Sequence, residues 1–179
     1  MRFVKFTLIG LIGITLAFFS LGFFHSNFQY ENQIEVDASV EKSYATFIND
    51  SLASQWLIGY VGNEVLSGAP LTPGSRLLLK FEQEGQTTEM IEELKEIKEN
   101  EKFIFDLETA FFTSTVEIYF EGNNEKSTIT VYSTITGSNI LYRSMLYLLK
   151  SGLQKQSQTN YDLLKEVIEQ QNKAFTPET

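Results

Sequence analysis

The chain has 179 residues, enough for one domain with an appendage. It carries 14 basic and 23 acidic residues, a formal net charge of −9, and every acidic residue follows Phe24. This charge argues against nucleic acid as a partner, because the phosphate backbone must be met by clustered Lys and Arg. With no cysteine and one histidine, the sequence excludes disulfides, thiolate catalysis and a multi-histidine metal site. We expect neither a metal nor a cofactor.

The N-terminal segment, residues 6–24, contains no charged residue. As a helix it would span roughly 28 Å, close to the hydrocarbon thickness of a bilayer. Arg2 and Lys5 precede it, so the positive-inside rule predicts a single-pass protein with a cytoplasmic N-terminus and an extracytoplasmic domain. The alternative is a cleaved signal peptide, but bulky Phe23 and Phe24 stand where a peptidase needs small residues.

The first elements after this segment are predicted to be a strand and two short helices. Residues 28–37 alternate between apolar and polar side chains, which is typical of a half-buried strand. Ser39 is a suitable N-cap for the helix that follows. Residues 51–57 then form a second short helix that contains Trp56, the only tryptophan.

Strand-like segments separated by turn residues come next. One of them, residues 87–97, is ambiguous, because its apolar residues recur at near-helical spacing and a strand there would need a bulge. The others alternate more cleanly and cover residues 59–66, 76–83, 103–108, 113–121 and 127–136.

The last element is predicted to be one long helix over residues 139–172. This segment contains no proline, and its one glycine is Gly152. As a helix it would run about 50 Å. Its predicted apolar stripe consists of Tyr142, Met145, Leu149, Leu153, Leu164 and Ile168.

This order predicts an α+β fold in which a curved antiparallel sheet of six to seven strands surrounds the long helix. Four local patterns support a more specific assignment: the strand–turn–helix of residues 34–44, Trp56 after the second helix, Pro73-Gly74-Ser75-Arg76 opening a strand, and residues 89–105. Together they resemble the START-like, or SRPBCC, helix-grip superfamily, and within it the polyketide cyclase/dehydrase-like group. The likeness covers nearly all of residues 28–172.

The resemblance implies a deep cavity between the sheet and the terminal helix that holds a hydrophobic molecule. Members of the superfamily bind lipids, sterols, quinones or polyketides; some are cyclases or hydrolases, and others bind proteins. We accordingly divide the chain into an anchor and junction (residues 1–27), a START-like domain (28–173) and a tail (174–179).

The candidate ligand-binding residues are those predicted to face inward from the sheet and the helix. A filled core would use the same residue types, so both interpretations stay open at this point. Ser133 could orient a ligand or bond to a neighbouring backbone group, and Trp56 could stand at the cavity mouth or simply pack. The candidates are Trp56, Leu77, Leu79, Phe81, Phe103, Phe105, Val116, Ile118, Phe120, Val131, Ser133, Ile135, Tyr142, Met145 and Leu149.

No catalytic residues are indicated by the sequence. The glutamates of residues 89–101 are expected to form a solvated face, and Arg76 is expected to pair with a glutamate or bond to loop carbonyls. The leading hypothesis is therefore a membrane-anchored binding or carrier module for a lipid-like or isoprenoid-like molecule. The alternatives are a protein-interaction or envelope-stress module with a filled core, and a cyclase- or hydrolase-type enzyme. An inward-facing charged residue would favour the enzyme, and a sizeable closed apolar pocket would favour the binding module. The absence of a pocket would favour the interaction module, which would need an exposed apolar patch.

Overall fold

A computed structural model describes residues 2–174, and its elements follow the predicted order. The predicted tail lies outside the described residues apart from the backbone of Ala174. The elements are α1 (Arg2–Phe24), β1 (Asn27–Val36), α2 (Val40–Phe47), α3 (Asp50–Trp56), β2 (Tyr60–Ser67), β3 (Arg76–Gln83), β4 (Gln86–Lys98), β5 (Lys102–Glu108), β6 (Phe112–Gly122), β7 (Ser127–Gly137) and α4 (Ile140–Ala174).

The seven strands form one antiparallel sheet in the order β1-β7-β6-β5-β4-β3-β2. This arrangement, with two short helices after β1 and a long helix after β7, confirms the predicted fold class. Because neighbouring strands alternate in direction, the start of β1, the end of β7, the β5–β6 loop and the β3–β4 turn all lie at one end of the sheet. We call this the anchor end, because α1, the helix that the sequence predicts to be an anchor, leads directly into β1.

The ambiguous segment is a strand, and it contains the bulge that the β interpretation required. The register of β4 against β5 shifts between Leu94 and Glu96. The residues that face inward are therefore even-numbered up to Leu94, whereas the odd-numbered Ile97 faces inward beyond the bulge. Both neighbours pair with β4 along most of its length, and this pairing overrides the near-helical spacing of its apolar residues.

The helix α4 packs mainly against β1, α1 and α3. Its buried residues include Leu146, Tyr161, Leu164 and Ile168. Two residues of the predicted inward stripe are instead exposed, Met145 by 38% and Leu149 by 51%, so their predicted placement was wrong. The reason is the rotation of the helix, which turns Leu146 rather than Met145 towards the core cluster of Phe28 and Ile135.

The end of α1 packs closely against the start of α4. The Gly22 N–H donates a hydrogen bond to the Ser144 hydroxyl oxygen at 2.9 Å, and that hydroxyl donates to the Ile140 carbonyl at 3.0 Å. The ring of His25 stacks on that of Tyr147 with centroids 4.1 Å apart. Glycine is needed at position 22 because a Cβ there would collide with the Ile140 carbonyl oxygen and the Ser144 side chain.

A test of this contact compares two alanine substitutions in the same helix. Gly22→Ala should lower the melting temperature of the full chain in detergent micelles by several degrees, because the added methyl group pushes α1 away from α4. Gly13→Ala is the control, since a Cβ at position 13 meets nothing within 4 Å. Equal melting temperatures for the two variants would show that α1 does not pack on α4 as described.

Candidate functional site

The sheet residues predicted to line the cavity share one face. Directly paired residues of neighbouring strands point to the same side, and pairs such as Leu79 with Met90 and Ile118 with Val131 carry this face across the sheet. We call it the inner face. It brings together Leu77, Leu79, Phe81, Phe103, Phe105, Val116, Ile118, Phe120, Val131, Ser133 and Ile135.

The part of the inner face formed by β6 and β7 is filled core. Ile118 and Val131 are almost completely buried. Phe120 packs against the rings of Tyr44 and Phe47, at centroid distances of 5.3 and 5.6 Å. These residues are covered by α2 and α4, so they support the sheet and do not line an open space.

The inner face of β3, β4 and β5 is covered less completely, because α4 packs mainly over the opposite edge of the sheet. Leu79, Leu94 and Phe103 are buried there, but other residues on the same face remain partly accessible. We call this half-covered surface the inner groove. It is formed by the half-buried side chains of Leu77, Phe81, Met90, Glu92, Phe105 and Leu107.

Glu92 is the charged residue that the sequence interpretation missed. It pairs with Leu77 on one side and Leu107 on the other, which fixes it on the inner face. Within the described residues its carboxylate has no hydrogen-bond or ion-pair partner. Burial raises the pKa of this carboxyl to about 7, and the nearby negative charge of Asp50 adds to the shift. Position parity could have identified it, since Glu92 lies two residues before the inward-facing Leu94.

A hydrogen-bonded polar cluster lies close to Glu92. The Tyr60 hydroxyl donates to the Asp50 carboxylate at 2.7 Å, and the Asn63 amide donates to the same oxygen at 2.6 Å. Burial and the hydrogen bond to Asp50 raise the pKa of Tyr60 to about 12, so the phenol stays protonated. With its pKa near neutrality, Glu92 can present a carboxyl that both donates and accepts a hydrogen bond.

Two polar atoms in the interior are fully buried without a hydrogen-bond partner. Trp56 packs against Phe47 and Tyr161, at centroid distances of 5.7 and 6.3 Å, and its indole N–H has no acceptor. The Asn32 amide nitrogen donates to Gln158 at 2.9 Å, whereas its buried oxygen accepts nothing. Trp56 therefore packs in the core and does not stand at a cavity mouth. The sequence analysis missed Asn32, although it alternates with the inward-facing Tyr30 and Ile34 along β1.

Several other predicted residues lie away from the inner groove. Arg76 is on the outer face, where its guanidinium lies 3.8 Å from Glu93 and 3.7 Å from Glu108, in agreement with the expected glutamate pairing. Tyr142 packs against Phe111 at the anchor end. Ser133 is buried on the inner face.

The outer face carries two shallow depressions of about 450 and 240 Å³. Mostly polar side chains line them, including Gln29, Glu117 and Thr134 in the first and Glu93 and Asp106 in the second. Their polarity does not suit a hydrophobic ligand. The half-exposed apolar side chains and the unpartnered Glu92 carboxyl make the inner groove the candidate site.

No family model and no curated protein sequence matches this chain. Solved structures do match. Ara h 8.0201 superimposes with a TM-score of 0.66 at 13% identity, covering 79% of this chain and 97% of that chain. A START superfamily protein from Mycobacterium smegmatis gives a TM-score of 0.60 at 17% identity, covering 83% and 99%. The di-domain ARO/CYC StfQ from the steffimycin biosynthetic pathway gives 0.64 at 12% identity, covering 82% and 52%. With its sheet order and terminal helix, the chain has the START-like helix-grip fold.

Proposed function

We propose that this protein is a membrane-anchored, extracytoplasmic module that binds a hydrophobic small molecule, lipid-like or isoprenoid-like, in the inner groove. The observation that carries this proposal is a half-covered apolar wall with one unpartnered carboxyl group on it. Binding sites for small molecules combine a mostly apolar lining with a few polar groups that orient the ligand.

The chemistry of the inner groove favours an amphipathic ligand. Phe81, Phe105 and Leu107 supply apolar contact area, and Glu92 supplies a polar group on the same surface. A ligand hydroxyl or other hydrogen-bonding head group would satisfy the Glu92 carboxyl and offset the cost of burying it. The apolar remainder of the ligand would cover the half-exposed side chains.

The anchor interpretation rests on α1. Within the described chain, Phe3–Phe24 is the one helix long and apolar enough to cross a bilayer, a feature that N-terminal signal sequences share. Its close packing on α4 through Gly22 supports retention of the helix, because cleavage would remove a partner from the buried Ser144 hydroxyl. Arg2 and Lys5 support the orientation in which the domain lies outside the cytoplasm.

A second candidate function, catalysis, is favoured by Glu92 alone. A carboxyl with a pKa near 7 inside an apolar site is suited to general acid–base work. The two functions differ in their response to Glu92→Gln: an enzyme would lose turnover and keep its ligand, whereas a binding module would lose affinity.

The direct test is native mass spectrometry of the full chain released from nanodiscs, followed by solvent extraction. We expect one hydrophobic adduct per chain. Leu107→Trp should reduce its occupancy at least tenfold, because the larger ring fills the inner groove. Ile104→Trp, on the outer face of the same strand, is the matched control and should bind like the wild type.

Circular dichroism and thermal unfolding establish that both tryptophan variants are folded. A clean protein mass with no uptake from a panel of phospholipids, fatty acids and isoprenoids would overturn the proposal. Equal ligand occupancy in the two variants would place the ligand outside the inner groove.

A further inference from the structure

An exposed apolar surface lies at the anchor end of the domain. The first half of α4 exposes five large apolar side chains, of which Leu148 is 62% exposed. The exposed Phe111, on the β5–β6 loop, packs edge-on against Tyr142 of the same helix at 5.2 Å. Patches of this kind on soluble proteins mark interaction sites. We call this surface the apolar rim; it consists of Phe111, Leu141, Met145, Leu148 and Leu149.

The apolar rim is continuous with the anchor helix. Ser144 and Tyr147, which lie between rim residues along α4, contact Gly22 and His25. Only two residues, 25 and 26, separate α1 from β1. Two residues span at most about 7 Å. The rim is therefore held at the depth at which α1 leaves the bilayer.

The charges of the chain segment that carries most of the apolar rim also fit a lipid surface, whereas the acidic residues of the same end, Glu84 and Glu108, lie on the β3–β4 turn and at the end of β5. Although the chain has a net charge of −9, no acidic residue occurs between Glu125 and Asp162. That segment contains Arg143 and Lys150, and the Lys150 amino group lies 6.0 Å from the centre of the Phe28 ring. Basic side chains beside exposed apolar ones are the combination that favours the headgroup and upper acyl region of a membrane.

We propose that the apolar rim inserts into the lipid–water interface of the bilayer that α1 spans, so that the domain lies on the membrane with its anchor end in contact with lipid. This inference rests on the proposed anchor and names lipid as the occupant of the rim. A protein partner or a second copy of the chain would cover the same residues without bringing them into contact with lipid.

The absence of cysteine makes single-cysteine labelling straightforward. The full-length variant Leu148→Cys, labelled with the fluorophore NBD, is reconstituted into liposomes of phosphatidylcholine and phosphatidylglycerol. We expect blue-shifted emission and at least twofold quenching by spin-labelled lipid. Thr159→Cys, on the exposed polar half of α4, is the matched control and should show neither effect. Leu141→Cys is a second rim reporter.

Ile12→Cys, within α1, separates failure of the inference from failure of the anchor. Quenching at position 12 without quenching at 148 and 141 would overturn the rim proposal and leave the anchor intact. No quenching at any of the three positions would overturn both. A blue shift at 148 that depends on protein concentration and resists lipid quenching would show that a second copy covers the rim, and would also overturn the inference.

Discussion

Replacing Phe120 with alanine should lower the free energy of unfolding by about 3–5 kcal/mol. Phe120 is 3% exposed and packs against Tyr44 and Phe47 on the filled part of the inner face. Truncation leaves a cavity that the surrounding rings, fixed by α2 and β6, cannot collapse to fill. Denaturant unfolding of the full chain in detergent micelles, followed by circular dichroism, measures the change.

Phe105→Ala removes the same atoms from the inner groove and is the matched comparison. Phe105 is half-buried and its ring contacts that of Phe103 at 5.8 Å. We expect a cost below about 2 kcal/mol, because a side chain already exposed on one side loses less on truncation. If the two substitutions cost the same, the inner groove is filled core and the proposed binding site does not exist.

The second large effect concerns the pH dependence of stability at Glu92. The folded-state pKa of about 7 lies above the ordinary value of 4.5, so the folded protein holds this proton more tightly than the unfolded chain. The contribution of Glu92 to stability is therefore greatest below about pH 4.5 and is lost as the pH rises through 7. Glu92→Gln removes the titration, and at pH 8 the variant should be more stable than the wild type by about 2–3 kcal/mol.

The measurement is the difference in unfolding free energy between variant and wild type from pH 4.5 to pH 8.5. This difference should rise with pH for Glu92→Gln. Glu93→Gln is the control at the adjacent outer-face position, where the carboxylate accepts a hydrogen bond from Lys95 at 2.5 Å. Because this substitution removes a favourable charge interaction, it should lower the free energy of unfolding and not raise it. A pH-independent difference for Glu92→Gln would show that its carboxyl is solvated.

The sequence predicts the fold well because local patterns and tertiary structure agree in most segments. The alternating Ile129 and Val131 of β7 point to the core, and Ser39 caps α2 by accepting a hydrogen bond from the Lys42 N–H. The sequence also indicates the bulge in β4, because Leu94 and Ile97 are three residues apart and can both face inward in a strand only if a bulge lies between them.

The site is harder to predict, because it depends on how elements pack against one another. The periodicity of α4 permits either Met145 or Leu146 to face the core, and the choice depends on α1 covering Ser144. Glu92 lies among solvated glutamates in the sequence, so its parity with Leu94 is easily overlooked, and the pairing of β4 with Leu77 and Leu107 places it on the inner face. Which part of the inner face α4 leaves uncovered is likewise a property of the assembled sheet.

With α1 in the bilayer as proposed, the two-residue junction between α1 and β1 limits how far the domain can travel. A soluble carrier, or one on a long flexible tether, can leave one membrane and reach another. A domain joined to a spanning helix by two residues, and packed against that helix, diffuses only in the plane of its own bilayer. Its cargo would therefore be handed to neighbours in the same membrane, and the rate of delivery would depend on their surface density and not on the distance to a second membrane.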